Sequence, residues 1–170
     1  MTPQATVAVA VALAGCVFDL HTRRIPNALT LGAAFVALAT AALTGGFSGV
    51  ASSAAGWAVA AALWLPLYAL GGMGAGDVKL MAAIGAWLGP ADVLYAALYA
   101  AIAGAIIAIA IAVVRGCVRQ TCTNVQLLLL HWRVAGLAPH PQLNLGTATS
   151  PRLAYAVPIL AGTMVALWLR

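Results

Sequence analysis

Three aspartates, Asp19, Asp77 and Asp92, are the only acidic residues in the chain, which has no glutamate. Asp77 lies in GGMGAGDVKL (71–80), between a glycine-rich turn and an apolar run, where an unpaired carboxylate is costly to bury. Two carboxyls brought within a few ångströms cannot easily both ionise, so one keeps a proton and the other does not. Such a pair offers a general base and a general acid at one pH. The base takes a proton from water, the water oxygen attacks a peptide carbonyl, and the acid protonates the leaving amine. Asp19 and Asp77 are the candidate pair, provided that the fold brings them together.

The elements that must do so are membrane helices. The chain has 170 residues, 64% of them hydrophobic and 6% charged, with a mean hydropathy of +1.03. A soluble domain carries about 25% charged residues. The expected fold class is therefore all-α, a single bundle of about six transmembrane helices over 1–170. The apolar runs fall at 5–20, 28–44, 54–70, 78–88, 93–114 and 153–169. They are long, continuous and rich in Ala and Leu, unlike the short alternating segments of a β-barrel. FSGVASS (47–53) reads as a loop between the second and third runs. The first run has no basic residue before it and reads as a retained span, not a cleaved signal.

Charge placement sets the expected orientation. Arg23, Arg24, Lys79, Arg115, Arg119, Arg133 and Arg152 follow the odd-numbered runs, and only Arg170 lies on the other side. By the positive-inside rule those loops are cytoplasmic and both termini are outside. The net charge of +5 is scattered in this way, which argues against nucleic acid as a partner and for the lipid bilayer. Cys16, Cys117 and Cys122 have no zinc spacing and imply no disulfide. The segment 115–152 is the longest cytoplasmic connection. Within it NVQLLLLHWRVAGL (124–137) reads as an interfacial helix and APHPQLNLGTATSP (138–151) as a loop.

This topology puts Asp19 at the cytoplasmic end of the first span and Asp77 at the cytoplasmic start of the fourth. Asp92 follows Gly89-Pro90 on the opposite face and reads as a helix cap, worth about 0.5–2 kcal/mol. The fourth run offers about a dozen residues, roughly 18 Å of helix against a hydrocarbon core of about 30 Å. Asp77 is thus expected below the near interface, where an ionisable group is by default a functional candidate. Asp19, taken alone, reads equally well as the first polar residue after a span. The glycine stretch lacks Walker spacing and follows a helix instead of a strand, so a phosphate loop does not fit.

GAGD (74–77) with Lys79 resembles the G-x-G-D motif of the membrane aspartic proteases. DLHTRRIPN (19–27) resembles the other half of that signature in the type IV prepilin peptidases. The resemblance extends to GDVKLMAAIGAWLG (76–89) and, more loosely, to RLAYAVPILAG (152–162). It implies cleavage of prepilin or pseudopilin leader peptides at the cytoplasmic face of the bacterial inner membrane. Asp19 and Asp77 would be catalytic, with neither metal nor cofactor. Gly74 and Gly76 would shape the substrate path. Pro26 and Asn27 would set the first cytoplasmic turn, with Asn27 capping the next helix. Lys79 would tune Asp77 or serve as a snorkelling anchor. Longer members carry a cytoplasmic domain with two C-x-x-C pairs, and many also N-methylate the pilin. Here the corresponding link is only 19–28 and no C-x-x-C exists, so peptidase activity without methylation is expected. The chain is more similar to the short peptidases of Flp-type or tight-adherence pili. Two other readings compete: a presenilin-type protease that cleaves within spans, against which the Ile-Pro-Asn turn (25–27) argues, and a small proton- or ion-coupled transporter using the same aspartates.

Overall fold

The structure, a computed structural model, describes residues 2–138 and 154–169. Most of the loop read at 138–151, together with Arg152 and Arg170, lies outside the described residues. The described residues form six helices and no strand: an all-α membrane bundle.

Helix α1 spans Pro3–Thr22. Thr2 caps its start by accepting the Ala5 N–H at 3.3 Å, and Pro3 fills the first turn, where no N–H is needed. It stops at Arg23, whose left-handed backbone (φ 55°) lets its N–H donate to the Asp19 carbonyl.

Helix α2 spans Asn27–Ala69, 43 residues. Straight, it would be roughly 65 Å long, about twice the hydrocarbon thickness. It is broken at Gly46 (φ 57°, ψ −141°), a conformation that costs glycine little. A Cβ at Gly49 would strike the Ala41 carbonyl oxygen, although a straight helix separates those residues by about 12 Å. The two arms therefore fold back on each other and account for the second and third apolar runs. The loop expected at 47–53 is corrected: those residues are helical. Ala41 and Gly49 are small enough for the arms to touch, so the reversal needs little more than Gly46.

Helices α3 (Ala75–Leu88), α4 (Pro90–Val114), α5 (Val118–Ala135) and α6 (Ala156–Trp168) complete the chain. By length and composition α1, α2 and α4 can each cross a membrane. The 14-residue α3 is the hub: Val78 and every residue from Leu80 to Ala86 are buried, and it packs against α1, α2, α4 and α6. A helix apolar all round belongs inside protein, so α3 need not match the thickness of lipid. Its closest neighbour is the second arm of α2. A Cβ at Gly85 would lie 2.9 Å from the Gly56 carbonyl carbon, and Ser53 Oγ donates to the Ala86 carbonyl at 2.8 Å. Helix α5 has no buried residue and touches only α4 among the described helices. It begins six residues before the helix expected at 124–137.

Candidate active site

The end of α1 and the start of α3 meet at one end of the bundle. Gly15 sets their register, because a Cβ there would lie 2.7 Å from both Leu80 methyls. Asp19 is one helical turn further along the same face of α1, since residues four apart share a face. Gly76 and Asp77 are one turn back along α3. The two helices run in opposite senses here, so the same step brings Asp19 level with Asp77. The Asp19 charge bears directly on the Asp77 carboxyl. Both aspartates are half-buried, and residues 21–24 beside them are exposed.

Each carboxyl is held locally. Gly74 is the N-cap of α3 in extended backbone (φ −80°, ψ 147°). Asp77, at the third helical position, bends back toward the Gly74 backbone N–H, as that position does in a capping box. A Cβ at Gly74 would lie only 3.1 Å from Asp77 Oδ2. On the other side, Asp19 Oδ2 accepts the Ala156 N–H at 3.4 Å, from the first turn of α6.

The turn at 23–26 packs on the glycine motif. A Cβ at Gly76 would lie 3.3 Å from Ile25 Cβ, so Gly76 leaves room for the neighbouring chain. Lys79 Nζ donates to Asn27 Oδ1 at 2.9 Å. Two expectations change as a result. Pro26 is the N-cap of α2 and makes no side-chain capping bond; Asn27 is the first helical residue and its side chain receives Lys79 instead. Lys79 is exposed and engaged with Asn27, tying the two motifs together across the site.

Asp92 is remote from this cluster. It lies in the first turn of α4, where a carboxylate suits the helix dipole, and Gly89 holds the N-cap position. Asp92 lines a cavity of about 630 Å³ with Thr2, Gln4 and Trp87. Those residues mark the start of α1 and the end of α3, the opposite end of the bundle. Large as it is, that cavity touches neither Asp19 nor Asp77.

Sequence reasoning missed three contributors: Ile25, Gly15 with Leu80, and the α6 turn at Tyr155 and Ala156. Only the loose resemblance at 152–162 pointed toward the last.

A model of the type IV leader peptidase family matches residues 6–109, more than half of the chain and the whole of both motifs. The chain belongs to the type IV leader peptidase family. No curated protein and no solved structure matches it. Membership of the leader peptidase family indicates a peptidase, and the apolar helices make it a membrane protein. The family match ends inside α4, so α6 and its contact with Asp19 come from beyond the matched stretch.

Proposed function

We propose that the protein is a membrane aspartyl endopeptidase that removes the leader peptides of prepilin-like proteins at the cytoplasmic face of the bacterial inner membrane. Asp19 and Asp77 act as one unit. The ionised carboxyl takes a proton from a water molecule, whose oxygen bonds to the scissile carbonyl carbon. The protonated carboxyl gives its proton to the amide nitrogen as the C–N bond breaks. Gly74 and Gly76 keep the approach to Asp77 narrow but open. Pro26, Asn27 and Lys79 hold the first cytoplasmic turn against it, and substrate meets this turn beside the pair.

The observation that carries this reading is the Gly15–Leu80 register, which supports Asp19 facing Asp77 one turn below. A second observation supports a recessed site. Tyr155, beside the pair, lies level with Gly104 of α4, and ten apolar residues of α4 run on past Gly104, about 15 Å at 1.5 Å per residue. The basic residues at the ends of α1 and α4 and along α5 favour a cytoplasmic location for this end. Helix α5, with its bare apolar side chains and its Arg119 and Arg133, lies at the headgroups of the same single membrane domain. The short 19–28 link without C-x-x-C supports a peptidase that does not N-methylate its product.

The test is cleavage of a purified prepilin by the full chain in detergent or liposomes. Asp19→Asn and Asp77→Asn are nearly isosteric, so a folded variant isolates the proton chemistry. Each should abolish turnover, whereas Asp92→Asn should leave it largely intact. Persistent cleavage in either of the first two variants would end the proposal. Aspartate-dependent ion flux without cleavage would indicate a transporter instead.

A further inference from the structure

We propose that Tyr155 is a positioning residue for Asp19: it anchors the first turn of α6 so that the Ala156 N–H holds the Asp19 carboxyl toward Asp77. This rests on the peptidase reading above. The first N–H groups of a helix have no partner within it. In α6 one of them finds Asp19 Oδ2 at 3.4 Å, 137 residues away in sequence. That contact depends on where α6 begins, and three other contacts fix its start. The Tyr155 ring meets the Trp64 ring of α2 edge to face, with centroids 5.3 Å apart and planes at 74°, a favoured aromatic geometry. Its hydroxyl end fills the space beside Gly104 of α4, where a Cβ would lie 2.7 Å from Tyr155 Oη and 3.0 Å from Cζ. Two turns further along, Gly162 of α6 sits on the backbone of Ala100, where a Cβ would lie 2.8 Å from the Ala100 Cβ. Helix α6 therefore cannot slide along α4 without breaking the fit at both glycines.

Tyr155 also lies close enough to Asp77 to feel its charge. Its phenol is half-buried beside that carboxyl. One side chain thus adjoins both aspartates while making its fixed contacts to α2 and α4.

The experiment compares full-chain variants on a prepilin substrate, with kcat and KM measured separately. A misplacement of about 1 Å in a reacting group costs about a hundredfold in rate. Tyr155→Ala should lower kcat about tenfold or more with KM within about threefold. Tyr155→Phe keeps the ring and should recover most of that loss. Gly104→Ala should lower kcat because its methyl meets the hydroxyl, and adding Tyr155→Phe should partly restore it. Replacing Ala156 by lactic acid swaps its N–H for an ester oxygen, and should reproduce the Tyr155→Ala loss without disturbing the ring. Wild-type kcat in both the Ala and the ester variants would overturn the proposal, as would a loss confined to KM. A readout independent of cleavage separates this failure from failure of the peptidase reading. With aspartate labelled at the carboxyl carbon, the Asp19 signal should move in the ester variant while that of Asp92 stays. An unmoved Asp19 signal would overturn the positioning role whether or not the enzyme cuts prepilin.

Discussion

Replacing Gly74 by alanine should separate activity from stability. Gly74 has φ −80° and ψ 147°, ordinary extended backbone that alanine adopts freely. Its N–H, toward which Asp77 bends, survives the change. On the backbone alone, Gly→Ala at a compatible position stabilises by about 0.4–1 kcal/mol through the unfolded chain, and at this N-cap position the poorer capping preference of alanine offsets a similar amount. The new methyl, however, lies 3.1 Å from Asp77 Oδ2, and comfortable contact begins near 3.5 Å. The carboxyl must therefore shift by about 0.3–0.5 Å. Scaled against about a hundredfold per ångström, that shift costs about four- to tenfold in kcat. The assay pairs initial cleavage rates with a melting curve followed by tryptophan fluorescence. The expected result is a melting midpoint nearly unchanged, with kcat down by that factor. If kcat holds at the wild-type value, the Asp77 carboxyl does not work from the position described here. If activity and stability fall together, Gly74 is a folding residue and the argument about its methyl is wrong.

Two further variants test the frame around the pair. Lys79→Met and Asn27→Leu each remove one end of the 2.9 Å hydrogen bond. If that bond is what matters, the double variant should lose no more activity than the worse single one, and additive losses would assign the residues separate roles. Gly85→Ala should destabilise the bundle by about 1–3 kcal/mol, the usual cost of overpacking, because its methyl meets the α2 backbone at Gly56. Its remaining folded fraction should cleave with normal KM, and a folded, stable but inactive variant would contradict this.

The sequence carried the long-range plan of the molecule further than its contacts. The position of Asp19 at the end of one apolar run and of Asp77 at the start of another was readable from hydropathy. Gly45-Gly46 marked a break that the structure places at Gly46. What was not readable depended on close packing between distant residues. The segment 47–53 looked like a loop because Gly and Ser cluster there, yet Ala41 lies against Gly49 and leaves it helical. Asn27 looked like a cap because its type favours that role, yet Lys79, 52 residues later, takes its side chain. The bond from Ala156 to Asp19 has no local signal at all, since a backbone N–H belongs to every residue but proline.

The central claim is that Asp19 and Asp77 form one coupled proton site. The composition makes this directly measurable. With three aspartates and no glutamate, protein labelled at the aspartate carboxyl carbon should give three side-chain signals, assigned by the three single Asn variants. Followed across pH by NMR, the Asp19 and Asp77 signals should each respond to titration of the other, and Asp19→Asn should change the Asp77 curve while leaving that of Asp92 alone. Three independent curves, with Asp77 indifferent to the loss of Asp19, would contradict the account.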